Sequence, residues 1–248
     1  MNSVIYILWL RQLKRYFRST PRMIGSIGQP LLFLLALGFG FGPIYQKAGG
    51  GNYIQFLAPG VIAMGILFTG MFMGIEIIWD RQFGFLKETL VAPVSRLSIM
   101  IGRTLGGATV AIMQGIVVFL ISLLIGFHPD WQNVWIGFIF MILIGVFFTG
   151  LGTAIASLLD DMQAFPLITN FVVMPLFFLS GSLFPLAGLS KIISFIAQID
   201  PLSYGIDGMR GAFTQNIFFG YFTDFSVLII STILILSIGA YFFSKVEI

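Results

Sequence analysis

Long apolar runs, broken by short polar stretches, set the pattern of this chain. Six stretches are long enough to cross roughly 30 Å of hydrocarbon as helices, which takes about 20 mostly apolar residues. They cover residues 23–44, 54–79, 99–127, 134–159, 165–184 and 225–243. The pattern predicts an all-α polytopic membrane protein with six transmembrane helices. The third run is long enough to tilt, or to begin as an extension outside the membrane.

The polar stretches decide orientation. An even number of spans puts both ends of the chain on one side. The loops on that side hold Arg11, Lys14, Arg15, Arg18, Arg22, Arg81, Lys87, Arg96, Arg103 and Lys245, ten of the thirteen Lys and Arg residues. The other side holds Lys47, Lys191 and Arg210. Cytoplasmic loops carry the excess of cations, so both termini and the loop over residues 80–98 are expected in the cytoplasm, with the chain in the cell (inner or plasma) membrane. No apolar core precedes Arg22 as it would in a cleavable signal, so the start is expected to be retained.

Two polar stretches have internal order. In residues 1–22, Ile5, Leu8, Trp9, Gln12, Leu13, Tyr16 and Phe17 fall near one side of a helix and Arg11, Lys14, Arg15 and Arg18 largely on the other. Such a helix lies in the interface plane with its cations near anionic head groups; it either anchors the topology or also touches a cytoplasmic partner. In the 80–96 stretch, DRQFGFLKETLVAPVSR, the spacing predicts a short charged helix opening near Gly84 and stopped at Pro93, held just outside the membrane. On the opposite side, residues 185–224 contain segments too short to span. These predict external interfacial or re-entrant helices, interrupted at Pro201, with Gly205, Gly208 and Gly211 three residues apart. Irregular backbone at such depth must be shielded by protein or face water. No internal repeat or second domain is visible, so residues 1–248 read as one transmembrane domain.

Composition excludes a soluble domain. Hydrophobic residues make up 58% and charged residues 9%, against about 45–50% and about 25% in soluble proteins. Mean hydropathy is +1.00. There is no cysteine, which removes disulfides and thiolate metal sites. The phosphate-cradling pattern G-x-x-x-x-G-K-[ST] is absent, since no Lys follows a Gly. The chain is therefore not expected to hydrolyse ATP by itself. His128 has no evident metal or acid–base partners and reads as an exposed loop residue. Asp160 and Asp161 read as a solvated helix end or a partner contact, because a magnesium site needs further carboxylates. Glu76 is the acidic residue inside a predicted span. It is either paired, for example with Arg81 or Arg103, or used in coupling or gating.

Thr69, Thr109, Gln114, Thr149, Thr153, Thr169 and Asn170 are polar at depth, where interhelical hydrogen bonding is the default. Gly70–Gly74, Gly102–Gly106 and Gly150–Gly152 would allow close helix approach. Among 28 Phe residues, most face lipid or pack between helices. Phe68, Phe72, Phe171 and Phe178, with Thr169 and Asn170, are candidates for lining an adaptable apolar pathway.

The 80–96 stretch followed by Gly102-Arg103 resembles the cytoplasmic loop of ABC type-2 exporter permeases, the membrane subunits of daunorubicin-resistance, nodulation-factor and polysaccharide exporters. The run FLSGSLFP ending at Pro185, then IDPLSYGIDGMRG over 199–211, is similar to that family's second hallmark. The resemblance covers essentially the whole chain and specifies no substrate. It implies that residues 84–92 form a coupling helix seated in a separate ATP-binding subunit, with Arg81, Gly84, Phe85, Leu86, Lys87, Glu88, Pro93 and Arg96 at the contact, and the N-terminal helix beside it as a connecting helix. It implies external re-entrant helices around Pro185, Pro201, Asp207 and Arg210 that close the outer end of the path. It further implies ATP and magnesium in the partner and none in this chain, pairing with a like or related permease, contact with membrane lipid, and no nucleic acid. The cargo would be amphipathic: a drug, a lipid or a lipid-linked glycan. Two other classes remain open from the residues alone. A membrane-embedded lipid-modifying enzyme needs clustered acids or histidines, and a nucleotide-independent transporter or channel needs deep charges.

Overall fold

A computed structural model of the chain describes residues 2–49, 51–85, 89, 94–159, 163–186 and 190–245. Among these residues the secondary structure is entirely helical. In order, the elements are α1 (Asn2–Phe17), α2 (Thr20–Lys47), α3 (Tyr53–Gln82), α4 (Arg96–Ile125), α5 (Val134–Leu158), α6 (Ala164–Ile168), the π-helical turn π1 (Thr169–Val173), α7 (Met174–Leu179), α8 (Lys191–Ile199), α9 (Pro201–Thr214) and α10 (Tyr221–Ser244). Five of them, α2, α3, α4, α5 and α10, are long and apolar enough to cross a membrane.

Local chemistry sets the ends. The Asn52 side chain accepts the Ile54 N–H at the start of α3, and the Ser95 hydroxyl accepts the Ser98 N–H at the start of α4, each satisfying an otherwise orphaned donor. Gly126 closes α4 in the left-handed conformation, φ 109°, as expected of a residue without a Cβ. Pro201, expected to interrupt the external segment, occupies the first turn of α9. Asp200 caps that helix by accepting the Leu202 N–H, and the missing proline N–H is one the helix start leaves free anyway.

The expected fifth span, 165–184, is shorter in the structure. The helical path from α6 through π1 to α7 ends at Leu179. Sixteen residues rise only about 24 Å at 1.5 Å each. Pro175, in the first turn of α7, has no N–H to continue the ladder, and the π turn immediately before it absorbs the mismatch. The path stops because Gly181 adopts φ 75° while the Ser180 and Ser182 hydroxyls both donate to the Phe177 carbonyl.

The layers follow from burial. Helix α3 is the axis: 94% of its apolar window is buried, against 17% for α2 and for α10. It packs on α5, α4, α2 and α9. Glycines permit the closest crossing. A Cβ on Gly152 of α5 would lie 2.6 Å from the Met71 carbonyl oxygen, and one on Gly74 of α3 would lie 2.6 Å from the Thr149 carbonyl oxygen. The close approach anticipated from those glycines is therefore between α3 and α5. Helix α9 closes one end of the bundle by packing on α5 and α10.

Gly152→Val should lower the thermal unfolding temperature sharply. The obstacle is backbone, so the cost meets or exceeds the roughly 1–3 kcal/mol usual for overpacking. Gly40→Ala, whose added carbon meets nothing within 4 Å, should leave the temperature unchanged. Equal unfolding temperatures for Gly152→Val and the wild-type protein would refute the close crossing.

Candidate functional site

The most charged region is the end of the bundle where α3 finishes and α4 begins. Helix α1 does not merely rest on the membrane surface. Leu8, Gln12 and Tyr16, one turn apart, are buried; Leu8 and Gln12 face glycines of α4, and the Tyr16 hydroxyl donates to the Gln114 Oε1. A Cβ on Gly106 would stand 2.8 Å from the Gln12 Cβ, and one on Gly102 would stand 3.0 Å from the Ile5 carbonyl oxygen. Trp9 also donates its indole N–H to the Thr109 hydroxyl at 3.0 Å. The anticipated Gly102–Gly106 pair is thus the seat of α1.

That docking turns the flank of α1 toward Asp80. Arg11 makes a two-pronged contact with its carboxylate, at 3.1 and 3.2 Å, and Arg15 adds one at 3.2 Å. From α4, Arg103 donates to the same carboxylate at 2.6 Å. Asp80 and Arg103 are both buried, whereas Arg11 and Arg15 keep 27% and 31% of their side chains exposed. One turn back along α3, Glu76 pairs with Arg22 at the start of α2 and lies 3.5 Å from Arg15. A carboxylate taken out of water needs this kind of multiple, charge-assisted partnering.

Two sequence expectations are corrected here. Of the α1 cations expected at lipid head groups, Arg11 and Arg15 turn inward to carboxylates, because α4 presents a glycine surface that α1 can bury, while Lys14 and Arg18 stay exposed. Glu76 is paired, but with Arg22 and Arg15 rather than the suggested Arg81 or Arg103. Arg103 is engaged by Asp80, and Arg81 donates to the Leu159 carbonyl at 3.1 Å.

The cluster reaches the loop through Arg11, whose guanidinium lies 3.5 Å from the centre of the Phe85 ring. Gly84, just before it, has φ 78°, and the Thr89 hydroxyl donates to the Phe85 carbonyl at 3.0 Å, four residues back. Arg96 opens α4 and donates to the Ser244 carbonyl at 2.6 Å, which joins it to the end of α10. Leu86, Lys87, Glu88 and Pro93 lie outside the described residues, as do Asp160 and Asp161.

Beside the cluster, α2, α3 and Tyr16 of α1 enclose a cavity of about 520 Å³. Phe68 and Phe72 line it, with Arg22 and Glu76 also in its wall. Thr169, Asn170, Phe171 and Phe178 stand elsewhere, on π1 and α7. Asn170, Phe171 and Phe178 are exposed there, with Phe171 at 77%.

At the other end, Arg210 of α9 is buried. It donates to the Gly181 carbonyl at 2.9 Å and lies 3.9 Å over the Phe56 ring. Burial pulls its guanidinium down to about 10, still protonated at neutral pH. Asp207 accepts the Phe218 and Phe219 N–H groups, at 2.9 and 2.7 Å. Pro185 is exposed in the turn region that follows α7. Arg210 thereby ties α9 to α3 and to the turn at Gly181, while Asp207 holds the turn before α10.

Residues 3–214 match the family model described as ABC-2 type transporter. The chain belongs to the ABC-2 type transporter family. The ABC-2 match spans α1 through the end of α9 and so includes both the charge cluster and the opposite-end closure. Relatives include transport permease ycf38 of Porphyra purpurea, 30% identical over 246 residues, covering 93% of this chain and 84% of that protein. The ycf38 protein of Cyanophora paradoxa is 28% identical over 231 residues, 87% of this chain and 78% of the relative. Nodulation protein J of Rhizobium leguminosarum bv. trifolii is 28% identical over 207 residues, 83% and 76% respectively. ABC-2 permeases normally work with an ATP-binding subunit.

Sequence reasoning treated Asp80 as a loop charge. The signal that places it is its four-residue spacing from Glu76, which puts both acids on one face of α3, matched by the four-residue spacing of Arg11 and Arg15.

In this ABC-2 permease, Asp80→Leu should destabilise by about 3–5 kcal/mol, because it leaves the buried Arg103 uncompensated, and Arg103→Leu should cost less, because Arg11 and Arg15 still engage Asp80. The double variant should recover much of the loss, since Arg11 and Arg15 can turn to solvent. Thermal unfolding in a double-mutant cycle measures this. Simple additivity would show that the two residues do not act as a pair.

Proposed function

We propose that this chain is the membrane subunit of an ATP-driven exporter, with the charged end in the cytoplasm and amphipathic cargo (a drug, a lipid or a lipid-linked glycan) carried outward. A separate ATP-binding subunit holds the ATP and magnesium and seats the 84–92 segment in a groove. A second permease, identical or related, completes the membrane pathway.

The observation that carries the reading is the double engagement of Arg11. The same guanidinium grips Asp80 in the core and covers Phe85 at the opening of the loop segment. Displacement of that segment is thereby transmitted to α1, α3 and α4 together. Charge at the contact with the ATP-binding subunit sets partner choice and register more than affinity. The family, and a sequence with no phosphate-cradling motif, support borrowed rather than intrinsic energy. In this reading, Arg81 and Arg96 hold the neighbouring helix ends, Lys87 and Glu88 meet the ATP-binding subunit, and Glu76 transmits the movement to α2. The external segment around Pro185, Pro201, Asp207 and Arg210 closes the outer end of the path.

Purification of the tagged chain from its native host should bring down a P-loop ATPase. Arg11→Ala should lower cargo movement several-fold while leaving the ATPase bound, and charge reversal at Lys87 or Glu88 should uncouple hydrolysis from transport. Cargo movement by the purified chain alone in nucleotide-free vesicles would overturn the reading, as would labelling of residue 87 from outside the cell.

A further inference from the structure

The cavity between α2 and α3 has polarity along its length. Glu76 and Arg22 lie toward one end, while Gly65 and Pro30 lie toward the other. Eleven residues of helix separate Gly65 from Glu76, about 16 Å at 1.5 Å per residue. Phe68 and Phe72 fall between them on α3, and Ser26 and Gln29 supply polar groups from α2. A space with a charged end and an aromatic wall suits an amphiphile rather than a compact polar solute.

The sign of the charged end is set by the cluster behind it. Four guanidiniums, from Arg11, Arg15, Arg22 and Arg103, meet two carboxylates, Glu76 and Asp80. The formal excess is two positive charges. Glu76 is nearly buried and already engaged by Arg22 and Arg15, so it has little to offer a cationic ligand. Arg22 is the accessible member, with 42% of its side chain exposed and only its Nη1 directed to Glu76 among the described contacts. Its remaining N–H groups match the oxygens of a phosphate or carboxylate.

A second feature orders the wall. Gln114 is 1% exposed. Its Oε1 accepts the Tyr16 hydroxyl at 3.0 Å and the Ser26 hydroxyl at 3.2 Å, both from residues of the cavity wall. Its Nε2 donor has no hydrogen-bond partner among the described residues. The wall is thus backed by a buried polar group that orients the Tyr16 and Ser26 hydroxyls lining the cavity, while its own Nε2 is shut off from it.

We propose that this cavity binds an anionic amphiphile, with its phosphate or carboxylate on Arg22 and its apolar chain along Phe72 and Phe68. The ligand enters from the leaflet on the α1 side. That it is cargo rests on the exporter reading; that it binds does not.

Trp79 lines the cavity and reports occupancy. The full chain is placed in nanodiscs of phosphatidylcholine and titrated with phosphatidylglycerol brominated on the acyl chain near the head group. The quantity read is the quenching that Trp79→Phe removes. Brominated phosphatidylglycerol should quench at markedly lower mole fraction than brominated phosphatidylcholine. Arg22→Gln should weaken that preference about tenfold, the effect of about 1.4 kcal/mol, and Arg22→Lys should retain most of it. Gly25, also in the wall, has nothing within 4 Å of an added Cβ. Gly25→Leu should therefore fill the space and abolish the preference without lowering the unfolding temperature. Inorganic phosphate alone should not relieve the quenching.

Equal quenching by the two brominated lipids overturns the proposal, as does a preference that survives both Arg22→Gln and Gly25→Leu. Relief by inorganic phosphate would also overturn it, reassigning the site to a soluble anion. Failure of an ATPase to copurify would sink the exporter reading while leaving this titration intact.

Discussion

The carboxylate of Asp80 is the point at which three helices of this bundle are joined. It stands near the end of α3, receives Arg103 from α4, and receives Arg11 and Arg15 from α1. In a chain so poor in charge, an acid there is costly unless each oxygen is engaged. Satisfying it fixes the rotation of α1, the seating of that helix on Gly102 and Gly106, and the position of Phe85 beneath the Arg11 guanidinium. Without this contact, α1 would be held by a narrow buried stripe and the Trp9 and Tyr16 hydrogen bonds to α4.

The fold was largely legible in the sequence because membrane spans are written in long apolar runs. Five of the six anticipated runs form long helices with ends displaced by a few residues, and the short helices of the 185–224 segment break just before Pro201, which opens the second of them. The remaining run, 165–184, is longer than the helix it forms, because hydropathy does not register Gly181 turning left-handed or Pro175 interrupting the ladder. The cluster was harder to read. Glu76 and Asp80 were each visible as acids, but one was assigned to the membrane and the other to the loop. Which arginine meets which acid depends on how closely α1 approaches α4. That approach is set by two glycines whose spacing marks a contact without naming its partner. Phe68 and Phe72, aromatic residues at depth, stand on one cavity. Phe171 and Phe178 share that character and stand on a different, exposed surface.

The two ends of the bundle are built on different principles. The charged end is held by side chain meeting side chain, with cations in excess and Arg22 left accessible. The opposite end is held by side chain meeting backbone: Arg210 on the Gly181 carbonyl, and Asp207 on the Phe218 and Phe219 amides. Backbone partners do not depend on residue identity, so that closure tolerates side-chain changes at Phe218 and Phe219, whereas Gly181 is fixed by its left-handed φ of 75°. The charged end has no such latitude.

Arg11, Arg15, Arg22 and Arg103 have a double duty that constrains the protein as a whole. In the proposed orientation these are among the cations by which insertion machinery reads sidedness, and they also grip the acids of α3 in the packed bundle. Moving positive charge to the opposite loops to flip the polypeptide would strip Asp80 and Glu76 of their counter-ions in the same stroke. Sidedness and tertiary architecture are therefore written in one set of residues, and neither can be re-engineered while the other is left alone.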